Sequence, residues 1–404
     1  MATRPGTAHP ALDSARGWLS VAAAFVSMAV VFGIAYGFGA FFTPMAAEFG
    51  AGNGATSVVF SITACCWFVL GSVSGRAADR FGPRPVLLVG AAALLVGLLV
   101  TSVVTELWMG YLSYGLGVGI AVACGYVPMV AAVGGWFTRR RATALAVAVA
   151  GIGVGTLVGA PVAAVLIEAG GWRQAHVVLG IAGAALLVLC ALVVQRPPEA
   201  TGDAPLPVRT LVRTVPFRSM YASTLLASLA LFVPFVFLPG YAVAVGVEPV
   251  AAAGLVGAIG MASVAGRLAI GPLADRLGRI RTYQLCFAVL ALSFAVWLPA
   301  RSWPMLLVFT VVLGIGYGGW IALQPTVIAE VFGLRGLGGL VGLVYTAGGA
   351  GALFGPPLAG FLVDATGGYT WAIVVAGVFG LGSFLALLPL GRPAASAASA
   401  DRAG

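Results

Sequence analysis

Long apolar runs dominate this sequence, and they recur along its whole length. Most of these runs reach the roughly 20 residues that a helix needs to cross a bilayer core. Only 8% of the residues are charged, against about 25% in a soluble domain. Because backbone N–H and C=O groups within lipid must be satisfied inside the segment, each run is predicted to be a helix. The chain is therefore predicted to be an all-α membrane protein.

The runs predict twelve transmembrane helices. Several runs are longer than the bilayer core is thick, so these helices must tilt or kink. The predicted spans lie at residues 18–45, 54–78, 85–104, 107–135, 142–168, 174–195, 217–246, 249–273, 282–299, 303–330, 338–363 and 370–391.

Arginine placement predicts the orientation of these spans. The net charge of +9 comes from arginine alone, because the sequence contains no lysine. All arginines except Arg173, Arg267 and Arg301 fall in the two tails or in the loops on the same side as the tails. Since arginine-rich loops stay in the cytoplasm, both termini are predicted to be cytoplasmic. This placement explains the charge without nucleic-acid binding. The alanine-rich, lysine-free composition suggests a bacterial protein of the inner membrane.

Two motifs recur at a spacing of 196 residues. Residues 75–82, Gly-Arg-Ala-Ala-Asp-Arg-Phe-Gly, are echoed at residues 271–278, and the Gly-x-x-x-Gly of residues 155–159 is echoed at 351–355. A third similarity links residues 136–137 with residues 331–332, since each pair lies shortly before an arginine in the sequence. We therefore predict two related six-helix halves, residues 1–195 and 217–404, joined by a cytoplasmic linker at 196–216. Such halves place a substrate path at their interface near the midplane.

The repeated Gly-x-x-x-Asp-Arg-x-Gly loops carry Asp79 and Arg80 in one copy and Asp275 and Arg276 in the other. Glycine ends a helix and permits a tight turn. An aspartate beside an arginine can pair locally or cap a neighbouring helix. We predict that these four residues latch the cytoplasmic side in one state and release it in another. The alternative is an orientation anchor that only needs a turn.

Arg267 is the one charged residue inside a predicted span. It precedes Asp275 by eight residues, which places it about 12 Å from the cytoplasmic turn, near the middle of the bilayer. An arginine at that depth costs about 2.5–3.5 kcal/mol on insertion scales. Every acidic residue near a span lies at its end, so a structural ion-pair partner is the less favoured alternative. A planar guanidinium in a wet cavity is suited to bind a carboxylate.

Four tyrosines are predicted to lie at a similar depth and to complete a binding pocket: Tyr36, Tyr126, Tyr317 and Tyr345. A buried phenol needs a hydrogen-bond partner, and a substrate carboxylate can supply it. Tyr317 lies in the glycine-rich segment 314–320, which we predict to be a loosened part of its helix. Each tyrosine could instead be a core or interfacial residue.

The remaining reactive residues argue against an enzyme. All five cysteines lie inside apolar runs and lack metal-ligand spacing. The sequence shows no pairing of a nucleophile with a base and no soluble catalytic domain. We therefore expect neither a metal site nor a cofactor. Separately, we expect the chain to act as a monomer.

These motifs resemble the major facilitator superfamily over essentially the whole chain, and within it the monocarboxylate transporter family and its bacterial relatives. The features that carry the closer resemblance are Tyr-Val-Pro at 126–128, Trp-Phe-Thr-Arg-Arg-Arg at 136–141, Gly-Trp-Arg at 171–173 and the segment 266–275. The resemblance implies an alternating-access carrier in which Arg267 engages the substrate carboxylate. It also implies that Tyr126 and Tyr317 line the pocket.

Two positions depart from the animal members of that family. Where those proteins carry a lysine in the first span this chain has Tyr36, and where they carry an aspartate one turn before the arginine it has Ser263. In that family, both the lysine and the aspartate are linked to proton coupling. The related oxalate–formate exchangers use a second basic residue in the eleventh span, and this chain has none there. The difference favours a singly charged substrate.

The sequence therefore predicts a carrier for a small monocarboxylate such as lactate or pyruvate, with a proton as the accompanying ion. One alternative is an anion exchanger. Another is an efflux carrier for a different organic metabolite or drug, although carriers of cations usually need a deep acid.

Overall fold

The computed structural model describes residues 14–197, 211–333 and 337–391, and within these ranges the chain is helical and contains no strand. Within the described part of the chain, eleven helical segments are long and apolar enough to cross a membrane. The chain is therefore a multi-pass membrane protein, as its apolar runs predict. The count of twelve spans stays a prediction.

The N-terminal segment, residues 14–197, begins with a bent pair of helices that together match the first predicted span. A short π-helical turn at Tyr111–Leu116 joins the fifth and sixth helices. The helices are α1 Ala15–Tyr36, α2 Phe38–Phe49, α3 Asn53–Phe81, α4 Pro83–Thr101, α5 Leu107–Gly110, α6 Gly117–Trp136 and α7 Arg141–Val193.

The C-terminal segment, residues 211–391, ends in a 3₁₀ turn at Leu388–Gly391. Most of the predicted linker, Arg335 and the C-terminal tail lie outside the described residues, and so do the predictions made for them. The helices are α8 Val215–Ala244, α9 Pro249–Leu277, α10 Arg279–Trp297, α11 Trp303–Phe332, α12 Leu337–Thr366 and α13 Thr370–Leu387.

Helix α7 reverses direction at Gly171. At 53 residues it would be about 80 Å long if straight, but Gly171 has φ 78° and ψ 165°, which is not helical. A Cβ on Gly159 would lie 2.3 Å from the Gly33 carbonyl oxygen, and one on Gly183 would lie 3.0 Å from Ile34 Cδ1. Both arms thus pack against the same stretch of α1. The predicted spans 142–168 and 174–195 lie on either side of this break.

Within the described residues, the two segments meet most extensively along three helix pairs: α7 with α9, α3 with α12, and α2 with α8. Glycines allow the α7–α9 pair to approach at backbone distance, since a Cβ on Gly153 would lie 2.7 Å from the Gly260 carbonyl oxygen. Small residues at such contacts are typical of helix association in lipid. The seam between the segments is therefore tightly packed on at least one side.

The prediction of a loosened helix at residues 314–320 was wrong. Helix α11 runs through this segment without interruption. Its glycines instead make room for neighbouring backbones: a Cβ on Gly318 would lie 2.0 Å from the Ser263 carbonyl oxygen, and one on Gly316 would lie 2.9 Å from that of Cys286. Close packing of α11 against α9 and α10 explains the glycines.

The close contact between α7 and α1 predicts that an alanine substitution will affect stability differently at two glycines. A Cβ on Gly155 would lie 2.1 Å from the Ala29 carbonyl oxygen, whereas one on Gly254 would meet nothing within 4 Å. We expect Gly155→Ala to lower the free energy of unfolding by about 1–3 kcal/mol, because rigid backbones must move apart. Gly254→Ala should be neutral or slightly stabilising. Thermal unfolding of the purified variants in detergent measures both, and equal stability of the two variants would contradict this packing.

Candidate functional site

Arg267 lies in α9, ten residues before the helix ends at Leu277, which is about 15 Å along the axis. Its side chain is half-buried and reaches across the seam between the two segments. There the Nη1 group donates a hydrogen bond of 3.3 Å to the carbonyl oxygen of Val149 in α7. The predicted mid-membrane charge therefore belongs to the interface and not to the interior of one segment.

The other edge of the Arg267 guanidinium is unpartnered. Its Nε and Nη2 atoms are buried and make no hydrogen bond within the described part of the chain. The ion pairs that form among the described residues are Glu48 with Arg173 at 2.6 Å and Glu330 with Arg279 at 3.9 Å, so no described acid neutralises Arg267. Buried donors without acceptors are costly, and the planar edge of a guanidinium has the geometry to hold a carboxylate in two hydrogen bonds.

Tyr317 and Tyr36 lie on one side of the guanidinium. The Arg267 Cζ atom is 5.8 Å from the centroid of the Tyr317 ring, a cation–π distance. The hydroxyl groups of Tyr36 and Tyr317 are 3.3 Å apart, and either can donate. Tyr36 also stacks on Phe235 with the ring centroids 4.2 Å apart. These contacts join α1 of the N-terminal segment to α8 and α11 of the C-terminal segment.

Tyr126 and Tyr345 are half-buried and complete the group. Tyr126 packs edge-on against Phe32 at 5.5 Å, and Tyr345 packs edge-on against Phe68 at 5.8 Å. The Tyr36, Tyr126 and Tyr345 side chains lie within electrostatic range of the guanidinium. The structure thus brings all five predicted residues together, while their role in substrate binding stays a prediction.

Several neighbours of the site could not be found from the sequence. The Val149 carbonyl and the rings of Phe32, Phe68 and Phe235 look like ordinary features of apolar helices, and 22 phenylalanines are spread along the chain. Ser263, which stands where the animal family carries an acid, donates a 2.7 Å hydrogen bond to the Gly260 carbonyl of its own helix. It therefore gives Arg267 no counter-charge.

The two repeated loops have the same backbone geometry. Gly82 and Gly278 have φ values of 90° and 87°, a region that favours glycine, and each N–H donates to the residue four positions earlier. Asp79, Arg80, Asp275 and Arg276 are exposed. Neither Asp79 nor Asp275 uses its carboxylate in an ion pair with a described residue, although Arg196 donates to the Asp79 backbone carbonyl at 2.7 Å. The predicted latch role of these loops stays a prediction.

The fold is similar to those of solved transporter structures. One is the structure of a bacterial homolog to the human lysosomal transporter Spinster in an inward-facing and unoccupied conformation. The match covers 93% of this chain and 98% of the homolog's chain. Its TM-score is 0.73 at 15% sequence identity. A variant of the nucleoside transporter NupG matches 93% of this chain and 100% of its own, with a TM-score of 0.75 at 14% identity. At these identities the likeness concerns the fold alone.

Sequence comparison agrees with the predicted resemblance. Monocarboxylate transporter 13 of Rattus norvegicus is 30% identical over 374 residues, which is 91% of this chain and 87% of that protein. Monocarboxylate transporter 3 of the same species is 32% identical over 397 residues, 93% of this chain and 79% of that protein. The Major Facilitator Superfamily pattern matches residues 23–300 and again 220–403. The chain therefore belongs to the major facilitator superfamily and, within it, resembles the monocarboxylate transporters.

Proposed function

We propose that this protein is a secondary transporter that moves a small monocarboxylate, of the size of lactate or pyruvate, across the membrane by alternating access. The observation that carries the proposal is the unpartnered edge of Arg267 at the seam between the two segments. Membership of a transporter superfamily supports transport, and the names of the related proteins support a carboxylate as the substrate.

The two free donors of Arg267 fit a carboxylate. Nε and Nη2 are adjacent on one edge of the planar guanidinium, so they can donate two parallel hydrogen bonds to the two oxygens of one carboxylate. Nη1 is held by the Val149 carbonyl, which fixes the direction of that edge. A substrate bound there would neutralise the buried charge and satisfy both donors in one step.

The surroundings of Arg267 favour a singly charged acid. Helix α12 contributes Tyr345 to the site but contains no arginine, lysine or histidine from residue 337 to 366. The tyrosine hydroxyls are neutral and can bond to a carboxylate oxygen or to a hydroxyl or keto group on the adjacent carbon. A dicarboxylate would leave its second charge without a partner among the described residues.

We propose further that the chain crosses the bacterial inner membrane twelve times as two related halves, residues 1–195 and 217–404, and acts as a monomer with both termini in the cytoplasm. The reversal at Gly171 supports two spans within α7. The matching turns at Gly82 and Gly278, together with the separate match of residues 220–403, support the two halves. In this arrangement Asp79, Arg80, Asp275 and Arg276 act as cytoplasmic latches.

The proposed proton coupling is argued from the absence of an acid beside Arg267 among the described residues. A guanidinium stays protonated at physiological pH, so Arg267 itself cannot carry the transported proton. Ser263 and Tyr36 replace the ionisable residues that the animal family uses. The substrate's own proton would then accompany it as a loosely held partner of the Arg267–carboxylate pair. The second candidate is exchange of one anion for another, which the same absence also favours.

The first prediction concerns Arg267 itself. Arg267→Ala and Arg267→Lys should weaken carboxylate binding at least about 100-fold, because alanine removes both charged hydrogen bonds and lysine lacks the planar fork. Arg84→Ala, at an exposed position in α4, is the matched control and should bind as the wild type does. Equilibrium binding of radiolabelled lactate or pyruvate to purified protein measures the effect. Undiminished binding by a well-folded Arg267→Ala protein would contradict the assignment.

The second prediction concerns the half-buried tyrosines. Tyr126→Phe and Tyr345→Phe should each weaken binding by about two- to tenfold, the effect of losing one neutral hydrogen bond. Tyr111→Phe is the matched control, because its hydroxyl donates to the Ala55 carbonyl at 2.9 Å within the N-terminal segment. The same binding assay compares the three variants. If all three bind like the wild type, the tyrosines of the site serve packing only.

The third prediction concerns coupling. Proteoliposomes that contain no internal anion substrate should accumulate labelled lactate or pyruvate when an inward proton gradient is imposed. Collapse of the gradient with a protonophore is the control and should abolish accumulation. Uptake that ignores the gradient and requires a preloaded carboxylate would instead establish exchange.

A further inference from the structure

Helices α3 and α9 begin at equivalent positions of the 196-residue repeat. The backbone amides of their first turns, however, donate to different hydrogen-bond acceptors. Glu248 precedes α9, and its carboxylate accepts hydrogen bonds of 2.8 Å from the amides of Val250 and Ala251. The equivalent position before α3 is Gly52, which has no side chain to do this. The first amides of a helix have no partner within the helix. Helix α3 therefore needs an acceptor from elsewhere.

Asp364, near the end of α12 in the C-terminal segment, supplies that acceptor. Its Oδ1 atom accepts from the Asn53 backbone N–H at 2.8 Å and from Asn53 Nδ2 at 2.7 Å. Its Oδ2 atom accepts from the Gly54 N–H at 2.9 Å. A carboxylate at a helix N-terminus gains both hydrogen bonds and a favourable interaction with the helix dipole. One segment thus caps a helix of the other.

Three glycines leave room for this contact. A Cβ on Gly52 would lie 2.7 Å from Asp364 Oδ2, and one on Gly54 would lie 2.4 Å from Phe361 Cδ1. On the opposing helix, a Cβ on Gly360 would lie 2.6 Å from the Asn53 carbonyl. None of the three has a positive φ, so space and not backbone conformation requires glycine here. The two surfaces fit each other closely.

The contact lies at the end of the bundle opposite Asp79 and Asp275, since it joins the first residues of α3 to the last turn of α12. Phe42 and Phe237 also meet across the segments, 5.0 Å apart and edge-on. The Tyr36–Tyr317 pair also joins the two segments. If the segments separated at this end, α3 would lose its cap, whereas α9 would keep its own.

We propose that Asp364, Asn53 and Gly54 form a releasable latch, the Asp364 latch, which holds this end of the central path closed. Its breakage is a step in exposing the Arg267 site from this side. The proposal rests on the alternating access proposed above but not on the identity of the substrate. Asp364 is exposed and Asn53 is half-buried, so water can replace the broken bonds and the latch can open reversibly.

Hydrogen–deuterium exchange of the full-length, substrate-free protein in lipid nanodiscs tests the latch. Asp364→Asn should raise exchange about five- to tenfold in the peptide that begins α3, since it loses a charged acceptor. It should also lower exchange in the peptides around Asp79 and Asp275, because the opposite end closes when this end opens. Glu248→Gln is the matched control: it should raise exchange only at the start of α9.

Gly52→Ser provides a second variant with a different local signature. Serine can cap α3 itself, and its Cβ collides with Asp364, so the latch should open while the start of α3 stays protected. The peptides around Asp79 and Asp275 should again become more protected. Changes confined to the start of α3 in Asp364→Asn, with unchanged exchange at the opposite end in both variants, would overturn the proposal. No substrate is present, so a failed carboxylate assignment would leave this result untouched.

Discussion

The cost of placing the Arg267 charge within the helical bundle is the constraint on which the arrangement around it depends. A guanidinium in the middle of a membrane protein is costly unless its charge and donors are compensated. Here the Val149 carbonyl and the Tyr317 ring compensate one edge and one face, and the buried Nε–Nη2 edge has no hydrogen-bond partner among the described residues. No described acid forms an ion pair with Arg267. Two buried donors of Arg267 are therefore left without an acceptor among the described residues, at the place where the two segments meet.

The same geometry ties the site to movement between the segments. Arg267 belongs to α9 but donates to α7, and glycine contacts such as Gly153 with Gly260 bring these helices to backbone distance. The Tyr36–Tyr317 pair and the Asp364 contact also join the segments. A rocking motion of one segment against the other would change all of these contacts together. In the proposed mechanism, binding at Arg267 and opening of either end would thus be physically connected.

Local patterns in the sequence predict the helical spans, the depth of Arg267 and the grouping of the four tyrosines, because helix rise and hydropathy fix depth in a membrane. They mislead at residues 314–320, where glycines that suggest a loose helix serve close packing. They also miss the aromatic neighbours and the partner of Asp364. Gly52 and Glu248 show in the sequence that one helix lacks a cap, but only the packing of α12 on α3 reveals which residue supplies it.

The most direct test of carboxylate binding at Arg267 is thermal unfolding of the purified wild-type protein with paired ligands of nearly equal shape. Lactate and pyruvate are compared with their uncharged amides, with dicarboxylates and with organic cations of similar size. If the free edge of Arg267 binds one carboxylate, the monocarboxylates should raise the midpoint of unfolding and the other compounds should not. Equal stabilisation by an acid and its amide, or stabilisation by cations alone, would contradict such binding.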